Sequence, residues 1–127
     1  MPVKNADLLP LFGEVKPLLE PYEKYYTVNV DEPGRYELWS EKDVALEGHK
    51  PHKAFFASLI VQKSYVGFYF MPVYTDPEVK AFFGEELLKL LKGKSCFYVK
   101  RLTPTLRVQI EDALKRGHQL YRAKGWV

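Results

Sequence analysis

Apolar residues recur with helical spacing over the first segment, where Leu8, Leu11, Phe12, Val15, Leu18, Leu19 and Tyr22 fall on one face. Gly13, Glu14, Lys16, Pro17 and Glu20 fall on the other, so the pattern predicts an amphipathic helix with one wet side. Pro10 suits its first turn. Pro17 deletes an interior hydrogen bond to Gly13, and a kink or break is expected near there.

The period then changes to two. "YTVNVDEPGRYELWS" reads as two strands joined at "EPG". With Glu32, Pro33 and Gly34 as the loop, Val30 faces Tyr36 and Val28 faces Leu38. The region from Glu41 to Lys53 is polar and irregular, with Gly48 and Pro51 as breakers, and reads as a loop. "KAFFASLIVQKSYVGFYFMP" forms a second hairpin turning at Lys63 and Ser64, with Gln62 opposite Tyr65. That register sorts the side chains. Phe55, Ala57, Leu59 and Val61 share an all-apolar face with Val66, Phe68 and Phe70, which places Leu59 and Phe68 in the core. Phe56, Ser58, Ile60, Gln62, Tyr65, Gly67, Tyr69 and Met71 take the reverse face.

Helical punctuation returns at "TDPEVKAFFGEELLKLLKGK", with Asp76 as N-cap, Pro77 at the first helical position, Gly84 as a possible divider and Gly93 as the stop. The strand "SCFYV" follows. The chain closes with a helix capped by Thr103 or Thr105, burying Leu106, Ile110, Ala113, Leu114, Gly117 and Tyr121 and ending at Gly125. Helix, four strands, helix, strand, helix, joined mostly by short connections, predict a single α+β domain over residues 1–127. It comprises a largely antiparallel sheet of about five strands packed with three helical segments.

Composition narrows the function classes. The 127 residues suffice for one core and not for two ordinary domains. Aromatics make up 15% of the chain, enough to build the core and also to appear outside it. The 19 Lys and Arg against 16 Asp and Glu give +3, spread along the chain in mixed sign, which argues against nucleic acid as a partner. "MPVKNADLLPLFGEV" carries no uninterrupted apolar run and no segment reaches bilayer-spanning length, so a cytoplasmic protein without membrane contact is expected. The single cysteine, Cys96, fits a reducing compartment.

Sharp chemistry is scarce. In "EGHKPHKAFF", His49 and His52 stand three apart, but Pro51 between them opposes a helix and an extended chain points them to opposite faces. No further ligand stands at a metal spacing, so the loop reads as a basic strand entrance in which His49, His52 and Lys53 border a pocket. "KGKSCF" matches the end of a phosphate loop at Gly93, Lys94 and Ser95. Leu88 stands where the first glycine belongs, and the order is helix to strand rather than strand to helix. Cys96 shares a strand face with Lys94, Tyr98 and Lys100, which makes a thiol-dependent enzyme one alternative.

The run "KSYVGFYFMPVYTDPEVKAFFGEELLKLLKGKSCFYVKRL", followed by an amphipathic helix and "YRAKGW", resembles the YdhG-like family of bacterial domains of unknown function. The strand "YVGFYFMPVY", the "L-x-x-L-L-K-G-K-S-C-F" junction and the closing helix carry the resemblance over most of the chain. It implies the fold, and through members described as frataxin-like iron chaperones it implies iron binding as another alternative. Such an activity would use an acidic ridge; the first helix carries Asp7, Glu14, Glu20 and Glu23 among Lys4, Lys16 and Lys24.

The leading expectation rests on the sheet's second face. Thr27, Glu37 and Trp39 from the first hairpin stand there beside Phe56, Ser58, Tyr65 and Tyr69 from the second, an apolar bed with polar tips of the kind that small-ligand and peptide sites share. The expected function is a non-enzymatic ligand-binding or adaptor module. Its ligand site would be Trp39, Phe56, Tyr65 and Tyr69 with His49, His52 and Lys53 at the rim. Its partner would be a small molecule or a protein; no catalytic residue, metal or cofactor is assigned, and the oligomeric state is left open.

Overall fold

The computed structural model describes residues 8–44 and 52–127, and of Asp43, Val44 and His52 only the backbone. The architecture is α+β. A single antiparallel sheet of six strands runs in the order β1-β2-β3-β4-β6-β5, built from β1 (Thr27–Glu32), β2 (Arg35–Val44), β3 (His52–Val61), β4 (Val66–Phe70), β5 (Leu91–Lys92) and β6 (Cys96–Val99). The helices are α1 (Leu9–Leu19), α2 (Pro72–Thr75), α3 (Glu85–Leu88) and α4 (Pro104–Ala123), with 3₁₀ turns at Glu20–Lys24 and Pro77–Phe82. None of the described helices is long and apolar enough to cross a membrane.

Period two along each strand and direct pairing between strands generate two rows across the sheet. Asp31, Tyr36, Leu59, Phe68, Phe97 and Leu91 form one row, and from Tyr36 to Phe97 every member is fully buried. Val30, Glu37, Ser58, Tyr69, Cys96 and Lys92 form the other. The helices lie on the first side: Leu9 reaches Gly34, Lys16 sits over the Tyr36 ring at 5.1 Å, and α4 brings Gly117 against Phe70. Leu59 faces Phe68 as expected, and Gln62 N–H donates to the Tyr65 carbonyl at 2.9 Å, closing the second hairpin at its expected turn.

The first hairpin departs from its expected register. Val28 does face Leu38, but Val30 faces Glu37 rather than Tyr36. The turn contains two residues, Pro33 and Gly34, because Gly34 adopts the positive φ of +85° that the second central position of a type II turn requires. The shorter turn moves the register by one, and an extra residue at Asn29 restores it at Val28.

A second bulge matters more. Leu38 pairs with Ala57 and the next residue, Trp39, pairs with Phe55, so Phe56 is the extra residue in β3. Phe56 and Ala57 therefore both turn to the helical side and are fully buried, while Phe55 crosses to the other side. The bulged backbone is held by hydrogen bonds from Tyr121 Oη to the Phe55 carbonyl at 2.5 Å and from Met71 N–H to the Phe56 carbonyl at 3.0 Å.

The helical segments also differ from expectation in places. α1 passes through Pro17 and tightens to 3₁₀ only at Glu20, because the residue deprived of its hydrogen bond, Gly13, lies on the solvent side. The segment 77–93 divides at Gly84, as that glycine suggested, into a 3₁₀ turn and the short α3, but its end forms β5 and not more helix. Asp76 gives no capping hydrogen bond there. Its carboxylate instead takes the Thr75 hydroxyl at 2.9 Å and the Lys124 ammonium at 3.0 Å. Gly93, at φ +71°, turns the β5–β6 hairpin and does not end a helix. In α4 the stripe is as expected: Thr103 accepts from Leu106 N–H at 3.0 Å as N-cap, and Gly125 follows the end at φ +75°.

Candidate functional site

The side of the sheet away from the helices holds a hollow of about 300 Å³ lined by Glu37, Trp39, Phe55, Ser58, Ile60, Tyr69, Met71 and Ser95. No residue of α1–α4 lines it. Trp39 and Phe55, paired across β2 and β3, tilt together with ring centroids 5.0 Å apart. The indole is held in place, since Trp39 Nε1–H donates to Glu37 Oε1 at 3.1 Å. The other carboxylate oxygen, Oε2, accepts from Arg35 Nε at 2.9 Å and Nη2 at 2.7 Å, an ion pair in which the Glu37 side chain is only 13% exposed. Both Glu37 oxygens are thus engaged in orienting Trp39 and Arg35.

Tyr69 forms the opposite wall. Its ring lies over Gly67, where an added Cβ would stand 2.8 Å from Tyr69 Cε2, so only glycine lets the ring lie down. Gln62 Nε2 donates to its hydroxyl at 3.1 Å, and burial pushes that phenol up. The resulting surface is apolar, its polar groups few and mostly tied to one another. It suits recognition by shape and apolar contact.

The expected site residues divide. Trp39 and Tyr69 lie where expected. Phe56 does not: the bulge turns it into the core, where it stacks on Tyr26 at 4.3 Å, and Phe55 takes its place in the hollow. Tyr65 lies further along the sheet, stacked on Tyr98 at 3.7 Å; the Tyr98 hydroxyl is the main cause that pushes its phenol up to about 12. Lys53 stands two residues before Phe55, on the same face of β3 by alternation, and its Nζ donates to the Glu41 carbonyl at 2.5 Å. His49 lies outside the described residues; His52 begins β3, its backbone paired with Val44.

Neither chemical alternative gains a constellation here. Cys96 is half-buried beside Tyr69, and burial pushes its thiol up, away from the thiolate that a nucleophile needs. Lys94, expected on the same face, instead sits over the Tyr74 ring at 5.7 Å. Among the described residues no group of three or more His, Cys, Asp or Glu is placed to hold a metal ion.

One buried titratable group was not anticipated as such. His118 belongs to the inward stripe of α4, beside Gly117 and four residues after Leu114, and is 8% exposed. Its Nδ1 meets Tyr26 Oη at 2.8 Å, and Tyr22, Tyr25 and Phe56 surround the ring. Nε2 is buried with no hydrogen-bond partner among the described residues. Burial, and then the Arg122 guanidinium, hold its pKa below the usual 6.5. The unfolded chain therefore binds the proton first, and His118 is expected to withdraw stability as pH falls below about 6.5, with none withdrawn above it. Thermal melts of the wild type and His118→Phe across pH 5 to 8 test this; equal slopes below about pH 6.5 would refute it.

Comparison with known proteins finds no matching family model, no matching curated protein and no matching solved structure.

Proposed function

We propose that this chain is a non-enzymatic binding domain that holds a flat, uncharged apolar small molecule in the hollow between Trp39, Phe55 and Tyr69. The observation that carries the reading is the Glu37 carboxylate. It lines the hollow, yet its two oxygens are given to the Trp39 indole and the Arg35 guanidinium. A carboxylate spent on orienting an aromatic ring leaves a preorganised, charge-balanced bed. A volume of about 300 Å³ is at the small end of ligand pockets, suited to one or two fused rings. The kinship to YdhG-like domains belongs to the same proposal and supplies no ligand of its own.

N-phenyl-1-naphthylamine is an uncharged aromatic probe, carrying a fused naphthyl pair, whose emission rises on entering an apolar site. Saturable binding is expected, with Trp39→Ala weakening it by about tenfold or more, in line with loss of an aromatic anchor. Unfolding midpoints should move much less in this variant than in one that loses a core phenylalanine. Equal probe affinity in wild type and Trp39→Ala would remove the hollow from consideration.

A further inference from the structure

We propose that a second hollow, at the β5–β6 end of the molecule, binds a phosphomonoester whose organic part is flat or apolar. This hollow, of about 400 Å³, shares no lining residue with the one above Trp39. It exists because the hairpin turned at Gly93 brings β5 back along β6, with Tyr98 N–H donating to the Leu90 carbonyl at 2.9 Å. Four cations converge on it from three segments: Lys89 after α3, Lys92 at the end of β5, and Lys100 and Arg101 after β6.

Glu86 is the only carboxylate among the described lining residues, and its Oε2 accepts from the Thr103 hydroxyl at 2.7 Å. Four cations and one carboxylate leave a formal +3, which equals the net charge of the whole chain. The remaining charges of the protein sum to zero. Lys92, Lys100 and Arg101 form no ion pair among the described residues. Lys89 approaches Glu85 at 3.7 Å, but both side chains are largely exposed and such a pair is weak.

Like charges drawn into one concavity repel, and the apolar walls contributed by Leu90 and Leu106 concentrate their field. A multiply charged oxyanion relieves that repulsion and accepts several charge-assisted hydrogen bonds at once. The N-cap Thr103 also lines the hollow, so the positive end of the twenty-residue α4 adds to the same field. Tyr98 is held rigid by its stack on Tyr65 and supplies a ring against which a flat group attached to the phosphate can lie.

Calorimetric titration at low ionic strength tests the assignment with inorganic phosphate, phenyl phosphate and a ten-residue oligothymidine. Phenyl phosphate is expected to bind one per chain, more tightly than inorganic phosphate, and to weaken as salt is raised. Lys100→Ala combined with Arg101→Ala should weaken it by about tenfold or more, while Trp39→Ala leaves it unchanged, which separates this site from the hollow proposed above. Lys100 and Arg101 are exposed, so the double variant should melt like the wild type; if it does not, Lys92→Ala gives the same reading from another segment. Absence of saturation by phenyl phosphate at millimolar concentration, or equal affinity in these variants, would overturn the proposal. So would saturation by the oligothymidine alone, since the cations would then be reading a phosphodiester backbone.

Discussion

Truncation of Phe56 to alanine is expected to lower the unfolding free energy by about 3–5 kcal/mol, whereas Phe55→Ala should cost about 1 kcal/mol or less. The two residues are adjacent and chemically identical, and only the bulge separates them. Phe56 is fully buried and forms the hub of an aromatic cluster, stacked on Tyr26 and edge-on to Phe70 and Tyr121 at 5.6 and 5.5 Å. Its removal leaves a cavity bounded by rings that are themselves pinned, Tyr26 to His118 and Tyr121 to the Phe55 carbonyl, so collapse into the space is limited. Phe55 is half-exposed at the hollow and touches Trp39. Urea unfolding of both variants measures the difference. A larger loss at Phe55 than at Phe56 would mean that β3 alternates without a bulge, and the hollow as described would not exist.

The second large effect is expected at Gly117. In an open helix position, glycine to alanine gains roughly 1 kcal/mol from backbone entropy. Here the sign should reverse, with Gly117→Ala destabilising by about 1–3 kcal/mol. A Cβ at this position would stand 2.4 Å from Phe70 Cζ and 2.8 Å from Pro72 Cγ. Neither neighbour yields easily, since Phe70 is fully buried against Phe56, Phe68 and Phe83 and Pro72 is a buried ring at the start of α2. The close approach of α4 to the sheet therefore depends on a missing side chain. Thermal and urea unfolding of Gly117→Ala, with exposed Gly13→Ala as the comparison in a helix, give the test; a stabilised Gly117→Ala would show that α4 has room to move outward.

Much of the fold was legible because its signals are local. The heptad-like stripe of α1, the Thr103 cap and Gly125 stop of α4, and the Leu59–Phe68 pairing each follow from period or punctuation within a few residues. The candidate site was legible only in part, and its failures share one cause. Phe55 and Phe56 present the same chemistry on both faces, so the hydrophobic pattern tolerates either assignment; Tyr26, His118 and Tyr121, distant in sequence, select the bulged one. "KGKSCF" gives the same lesson at Gly93. A left-handed glycine ends a helix or turns a hairpin equally well, and pairing of Leu91 with Phe97 makes it a hairpin.

Charge was legible in part. Along the chain no acidic residue stands between Glu86 and Glu111, so Lys89, Lys92, Lys100 and Arg101 belong to one basic stretch that a net charge of +3 conceals. Folding brings the four around one hollow, since Coulomb interactions depend on distance in space and not on separation in sequence. The sequence by itself determined which segments are helices or strands wherever a single period dominates, and which side of β4 faces the core. The tertiary structure alone decided the bulge at Phe56, the exposure of Phe55 and the burial of His118. Each of these is settled by contacts between segments far apart in sequence, which outweigh a local pattern that is equally consistent with two answers.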